Sequence, residues 1–165
     1  MERIYIIGNS GSGKSYLANK LSEKLNIPHF DLDDVFWKKK YSIQRTEDEK
    51  KLLLSKIIKD NETWVIEGLF VSFTDEAIKN ATEIIWLDIN INILTWRIIK
   101  REFIKIIKGK NNFKNVFELI KFVRRYNDEE NGYYFKIKKL LEKHEVKFIL
   151  IKNKKDFKNY LKKLE

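Results

Sequence analysis

The feature that most constrains this chain is a glycine-rich octapeptide close to its N-terminus. It fits the pattern G-x-x-x-x-G-K-[ST] at every position. An apolar run at residues 4–7 precedes it, and Leu17, Leu21 and Leu25 follow at the four-residue spacing of one helix face. The motif therefore stands between a strand and a helix, where its mechanism requires it. Its residues are Gly8, Asn9, Ser10, Gly11, Ser12, Gly13, Lys14 and Ser15.

The octapeptide predicts a phosphate-binding loop, or P-loop. Glycines permit backbone angles that point successive N–H groups into an anion-sized hollow, and the positive end of the following helix dipole adds to the attraction. In such a loop Lys14 reaches the β- and γ-phosphates, and the hydroxyl of Ser15 binds Mg²⁺. We therefore expect all eight residues to bind ATP or GTP together with Mg²⁺.

The rest of the chain alternates short apolar runs with helical patterns, which predicts an α/β fold. Such alternation is typical of βαβ units, and these build a parallel sheet with right-handed crossovers. We expect a single domain over residues 1–165, with the three-layer P-loop NTPase fold and a five-stranded parallel sheet. The candidate strands are residues 4–7, 29–33, 63–66, 83–88 and 146–151.

A long helical stretch separates the fourth candidate strand from the fifth. It covers residues 91–143 and is interrupted near Gly109 and Gly132. This block is longer than the single helix that usually connects two parallel strands. We therefore expect it to project over the carboxyl ends of the strands, where open α/β folds bind ligands. We predict a helical lid at residues 98–131 that closes over the site.

Two carboxylates are candidates for the chemistry. Asp33 ends the second candidate strand, which we expect beside the P-loop strand, and there it would hold an acceptor hydroxyl or act as its base. The alternative is that Asp31, Asp33 and Asp34 cap the next helix. Glu67 follows the third strand and would hold Mg²⁺ through water. Its alternative is a salt bridge at the sheet end.

Two arginines in the helix after the fourth strand are candidate catalytic groups. Arg97 and Arg101 continue into Lys105 and Lys108 at spacings of three to four, which makes one basic stripe. Guanidinium groups on a closing lid stabilise the charge of a transferring phosphoryl group. The alternative is a solvated basic face.

Several segments together resemble the nucleoside-monophosphate-kinase-like P-loop kinases, and within them the DNA topology modulation proteins and adenylate-kinase-related kinases. The resemblance implies a five-stranded parallel core and phosphoryl transfer from ATP. One departure argues against plain adenylate kinase activity: the acid after the third strand is kept as Glu67, but the arginine that follows it in adenylate kinases is missing. The segments are residues 6–15, 32–37, 64–68, 84–88, 96–97 and 100–101.

Two other functions stay open. The formal charge of +10 and a pI of about 9.5 would favour a polyanion such as DNA, although the basic residues include only six arginines and the lysines are scattered. No known nucleic-acid fold is visible in the sequence, so DNA binding would be electrostatic. The tetrapeptide at residues 153–156 reads Asn-Lys-Lys-Asp, like the guanine-reading motif of GTPases, but no Asp-x-x-Gly switch follows the third strand.

The remaining composition bears on the cellular compartment and on the kinds of site that the chain can form. Cysteine is absent, which excludes a thiol nucleophile and disulfides and suits a reducing cytoplasm. No apolar run approaches the roughly 18 to 20 residues of a membrane-spanning helix. His29 and His144 have no metal-ligand companions, so we interpret both as structural. We expect a cytoplasmic monomer that does not bind membranes and that acts on an unidentified small-molecule acceptor.

Overall fold

Strands and helices alternate along the computed structural model, which describes residues 1–40, 42–108, 113–128 and 132–162. The strands are β1 (Arg3–Gly8), β2 (His29–Asp31), β3 (Trp37–Lys39), β4 (Ile43–Gln44), β5 (Trp64–Gly68), β6 (Glu83–Leu87) and β7 (Ile149–Ile151). A 3-10 turn spans Arg125–Asn127. The helices are α1 (Lys14–Leu25), α2 (Leu32–Phe36), α3 (Glu47–Asp60), α4 (Asp75–Asn80), α5 (Ile91–Ile107), α6 (Phe113–Arg124), α7 (Tyr133–Lys143) and α8 (Lys154–Lys162).

The five-stranded parallel sheet expected from the sequence is confirmed. Its order is β2-β5-β1-β6-β7, and all of its pairings are parallel. The P-loop strand β1 is central, and its four apolar residues 4–7 are each no more than 1% exposed. Burying one side chain of this size stabilises a fold by roughly 1.5–3 kcal/mol. The short antiparallel hairpin β3–β4 stands apart from the sheet and was not expected.

The position of the second strand differs from the expectation. β2 does not lie beside the P-loop strand, because β5 is inserted between them. β5 is buried at all five positions, whereas the three residues of β2 are each partly exposed. A fully buried strand that is mostly apolar gains most from an inner position, and a short, partly exposed strand costs least at an edge. The burial of β5 and the exposure of β2 therefore account for the order of these strands. The sequence around Asp33 alone does not show which of the two strands is the more buried.

Helices cover both faces of the sheet and divide the core in two. Tyr5 and Ile7 point into one cluster together with residues of α3, α4 and α7. Ile4 and Ile6 point into the other, with Leu17 and other residues of α1 and α8. Side chains alternate across a strand, so one apolar run serves both layers. This is the three-layer arrangement that the sequence predicts.

The last strand is shorter than expected. It begins at Ile149 rather than at residue 146, and both Ile149 and Leu150 are more than a third exposed. Ile151 alone is buried, where it faces the α1 side of the sheet. An edge strand has one pairing partner and one uncovered side, which accounts for the shortening.

The long helical excursion consists of α5, α6, the 3-10 turn and α7. The two ends of its lid portion are buried. Ile98 and Val123 are fully enclosed, and Tyr126 is buried with its hydroxyl accepting from Trp86 Nε1 at 2.9 Å. Gly132 is buried as well. Gly109 and Asn131, which bear on the expected hinges, lie outside the described residues. Within the described part of the chain, no helix is both long and apolar enough to traverse a bilayer.

Candidate active site

The P-loop connects β1 to α1 at the carboxyl end of the sheet. Gly11 and Gly13 have φ angles of 80° and 103°, in the left-handed region that side chains disfavour. Gly13 is the N-cap of α1 and no side chain caps the helix there, while a Cβ at Gly13 would meet no atom within 4 Å. The first N–H groups of α1 therefore face an open hollow. This is the geometry that binds a phosphate at a helix N-terminus.

Asn9 ties this loop to the helical excursion. Its side chain is buried, accepts from the backbone N–H of Ser10 at 2.7 Å, and donates from Nδ2 to the carbonyl of Val123 at 3.0 Å. The amide oxygen of Asn9 therefore hydrogen-bonds within the loop, and its nitrogen hydrogen-bonds to α6. The sequence places Asn9 in the motif but gives no sign of this second contact, which joins residues 114 positions apart.

Lys14 points into the carboxylate-lined end of the sheet. Its Nζ donates to the carbonyl of Asn9 at 3.3 Å and lies 4.0 Å from Glu67 Oε2. Burial lowers the pKa of Lys14, and the nearby charges of Glu67, Asp33 and Asp31 oppose that change. The ammonium group of Lys14 is thus held in place at a site with little solvent, where its attraction to phosphate oxygens is strong.

Ser15 and Glu67 form the closest pair in the site. The Ser15 hydroxyl donates to Glu67 Oε1 at 2.5 Å, and Glu67 is only 2% exposed. Burial raises the pKa of Glu67, while Lys14 and the Ser15 hydrogen bond lower it. A hydroxyl and a carboxylate are the oxygen ligands that Mg²⁺ prefers, so these residues fit the ion. Among the described residues, no cluster of three or more His, Cys, Asp or Glu side chains could hold a metal ion.

Asp33 lies in α2 and not on the second strand, contrary to the expectation. β2 ends at Asp31, whose carboxylate accepts from the backbone N–H of Asp33 at 2.8 Å and so caps α2. Asp34 is at the surface, 3.6 Å from Lys40 Nζ. Capping therefore belongs to Asp31 and leaves the Asp33 carboxyl for another role. Burial raises the pKa of Asp33, as does Asp31, while Lys14 opposes them, so Asp33 and Lys14 act on each other across the cleft.

The two candidate arginines extend from α5 on the P-loop side. Arg97 Nη1 donates to the carbonyls of Gly11 and Ser12, each at 3.2 Å. Arg101 Nε donates to Glu102 Oε1 at 2.7 Å, and Glu102 is 2% exposed. Arg101 is also near enough to lower the pKa of Lys14.

The orientation of α5 follows from these contacts. The buried face of this helix carries Leu94, Ile98 and Glu102, whereas Trp96 at 65% exposed and Phe103 face outward. Arg97 contacts the P-loop carbonyls although its side chain is exposed. The functional assignment of both arginines stays a prediction.

His29 belongs to the site, although sequence reasoning treated it as structural. Its Nδ1 lies 3.0 Å from Asn19 Oδ1, and its Nε2 lies 4.0 Å from Glu67 Oε1. Nε2 is buried without a hydrogen-bond partner among the described residues. One signal was present in the sequence: His29 stands two residues before Asp31, and alternate residues of a strand share a face.

The GTPase-like tetrapeptide caps a helix. Asn153 Oδ1 accepts from the backbone N–H groups of Lys155 and Asp156 at 2.8 and 3.1 Å. Asp156 Oδ2 in return accepts from Asn153 Nδ2 and from the backbone N–H of Lys152, at 2.9 and 3.0 Å. The two side chains that would recognise guanine are thus occupied at the start of α8.

Comparison with known proteins agrees with this geometry. The chain is 32% identical over 102 residues to the uncharacterized protein YqaC of Bacillus subtilis (strain 168), a match that covers 62% of the chain and 57% of that relative's length. It is 32% identical over 127 residues to the shikimate kinase of Azobacteroides pseudotrichonymphae genomovar. CFP2, covering 67% of the chain and 74% of that protein. The chain belongs to the shikimate kinase family. A shikimate kinase of Sulfurihydrogenibium sp. (strain YO3AOP1) is 28% identical over 143 residues.

Solved structures show the same fold. A shikimate kinase from Acinetobacter baumannii in complex with shikimate matches 99% of this chain and 90% of its own, with a TM-score of 0.55 and 14% identity. A gluconokinase from Sinorhizobium meliloti 1021 matches 92% and 82%, with a TM-score of 0.53 and 16% identity. No family model matches the chain. Fold and family membership together make this a P-loop protein of the small-molecule kinase type, and the resemblance to DNA topology modulation proteins stays a prediction.

Proposed function

We propose that this protein transfers the γ-phosphoryl group of ATP, with Mg²⁺, to a hydroxyl group of a small-molecule acceptor. The observation that carries the proposal is that Lys14 lies 4.0 Å from Glu67, while Asp33 is held by Asp31, which is in register with Glu67 on the neighbouring strand. A cation, a metal ligand and a free carboxyl at one cleft are the groups that in-line phosphoryl transfer needs. A phosphate-binding loop that only binds nucleotide has no need of Asp33.

Each group has a role in this account. The P-loop N–H groups and Lys14 bind the β- and γ-phosphates, and Ser15 and Glu67 hold Mg²⁺. When bound, the ion neutralises the charge that develops on the phosphate oxygens. Arg97 and Arg101 supply further positive charge from α5.

Asp33 holds the acceptor hydroxyl and takes its proton. Its raised pKa supports this role, because a general base works best when its pKa is close to the operating pH. A carboxylate repels a phosphate acceptor, so a hydroxyl-bearing acceptor suits Asp33 better than a nucleoside monophosphate does. Arg45, the arginine nearest to α2 in sequence, is occupied by the carbonyls of Asp34, Val35 and Trp37.

The names of the relatives define the first acceptors to test, which are shikimate and gluconate. The experiment measures ADP release by the purified protein with ATP and Mg²⁺ against these acids, nucleosides, nucleotides and other hydroxylated metabolites, with a reaction lacking acceptor as baseline. We expect at least one acceptor to raise ADP release well above the baseline.

Matched variants show whether that release comes from this site. Asp33→Asn should lower acceptor-dependent turnover by about 10² to 10⁴ and leave ATP affinity nearly intact. Asp34→Asn, a neighbouring exposed carboxylate, should behave like the parent protein. Lys14→Ala should lose ATP binding. Normal turnover in Asp33→Asn would contradict its role as base, and lost ATP binding in that variant would place it among the Mg²⁺ ligands.

A further inference from the structure

The hydrogen bonding of His29 leaves one ring nitrogen as an acceptor inside the site. Nδ1 faces Asn19 Oδ1 at 3.0 Å, and an amide oxygen only accepts, so Nδ1 carries the proton. In a neutral imidazole the other nitrogen, Nε2, then has a lone pair.

Helix α1 carries both Asn19, which hydrogen-bonds His29, and Ser15, whose hydroxyl belongs to the metal site. Asn19 is four residues after Ser15 in α1, so both side chains lie on one face of the helix. Ser15 binds Glu67 and Asn19 binds His29. β2 and β5 are adjacent, with His29 in register with Val65, two residues before Glu67. The imidazole is therefore fixed both by the sheet and by α1.

His29 Nε2 requires a hydrogen-bond donor, and Glu67 Oε1, which already accepts from Ser15, can accept a second hydrogen bond. They are 4.0 Å apart, which exceeds a hydrogen bond, and both accept. Nε2 is buried and has no other partner among the described residues. A molecule with two O–H donors, each bond about 2.8 Å long, spans such a separation, and water is the simplest one.

We propose that His29 is a positioning residue of the metal site, whose Nε2 accepts a hydrogen bond from a water bound to the Mg²⁺ that Ser15 and Glu67 hold. This inference rests on the proposed function, because it assigns a residue to the same metal. Mg²⁺ takes oxygen ligands and keeps several waters, so an imidazole suits its outer shell better than direct ligation. Residues of this kind orient the ligands, and their loss typically costs about 10- to 100-fold in metal affinity.

Two substitutions separate the ring nitrogens of His29. In His29→Asn the side-chain amide reaches the place of Nδ1, so the contact with Asn19 is kept and the acceptor at Nε2 is lost. In His29→Gln the longer amide brings an oxygen to the place of Nε2. His144→Asn is the control, because His144 Nε2 bonds Asp75 Oδ1 at 2.8 Å, far from the P-loop in sequence and outside the site.

The measurement is the affinity for a non-hydrolysable ATP analogue by titration calorimetry, in EDTA and in saturating magnesium chloride, with thermal unfolding of each variant as a check on folding. We expect all four proteins to bind equally in EDTA. With Mg²⁺ the parent and His144→Asn should bind more tightly, His29→Asn should lose about tenfold of that gain, and His29→Gln should recover most of it.

The outcomes separate this inference from the proposed function. If Mg²⁺ tightens binding to the parent and to His29→Asn equally, the role of His29 is refuted while the metal site stands. If His29→Asn weakens binding to the same extent in EDTA, the residue is structural and the inference is again refuted. If Mg²⁺ has no effect on the parent, the metal site is wrong, and the proposed function and the inference both fall.

Discussion

At the scale of single residues, the site holds ionisable side chains in buried positions, where their charged forms cost free energy. Burial raises the pKa of Asp33 and of Glu67 and lowers that of Lys14, so each group is held in an environment that opposes its charge. Ionisable groups with shifted pKa values at one cleft are typical of functional sites. Lys14 and Glu67 partly compensate each other, whereas the carboxyl of Asp33 should cost stability when it is charged.

Asp33→Asn tests this at the residue where the chemistry is proposed. A raised pKa in the fold means that Asp33 contributes stability below its unfolded pKa, and that this contribution is lost as the pH rises through the folded value. At neutral pH the charged carboxylate is a net cost, so Asp33→Asn without ligand should melt at a higher temperature than the parent. The difference should shrink as the pH falls and be smallest below the unfolded pKa of about 3.9, where the carboxyl is protonated in both states.

Thermal unfolding across pH checks the prediction, with Asp34→Asn as control. Asp34 is 75% exposed, so its substitution should leave the melting temperature unchanged. Equal melting curves for the parent and Asp33→Asn at every pH would show that the Asp33 carboxyl is solvated, and would remove the main electrostatic argument for its role.

At the scale of helices and strands, the sequence predicted which elements form better than how they face. The 3.6-residue period identified α5 and its basic stripe, but the period is the same whichever stripe points inward. Packing decided the matter, because the face with Leu94 and Ile98 is buried while Trp96 is exposed. Arg97 reaches the carbonyls of the P-loop from the edge of that face. In the same way, the apolar run of β5 was evident, but its insertion between β1 and β2 depends on pairing that no local pattern contains.

The contacts of the excursion predict where a lid can move. Ile98 and Val123 pack together in one cluster, and Asn9 holds the carbonyl of Val123, so both ends of the lid are fixed to the P-loop. Closure should therefore involve the described segments between them, residues 99–108 and 113–119. We expect amide hydrogen exchange to slow there when nucleotide and acceptor are both added.

Residues 91–98 provide the internal control, because they should exchange slowly in all conditions. Exchange mass spectrometry on the parent protein, with bound nucleotide verified, measures both regions at once. Unchanged exchange at residues 99–108 and 113–119 would show that the excursion is a fixed part of the fold, and equal slowing at residues 91–98 would show general stabilisation by ligand.

At the scale of the whole molecule, the sequence predicted the sheet and the phosphate loop, because each depends on a contiguous pattern. It missed His29, which joins the site only once β2 lies beside β5 and α1 supplies Asn19. The sequence also did not identify a binding partner for the net charge of +10. The fold resembles small-molecule kinases, whereas the charge would suit DNA, and one reaction distinguishes the two.

That reaction follows the γ-phosphoryl group of ATP. The protein is incubated with ATP labelled at the γ-phosphorus, Mg²⁺ and the small-molecule fraction of a cell extract, with or without double-stranded DNA, and the labelled products are separated. We predict label on an organic phosphate, independent of DNA, and absent with Lys14→Ala or Asp33→Asn. Label recovered only as inorganic phosphate, or transferred only when DNA is present, would contradict the assignment of this protein as a small-molecule kinase.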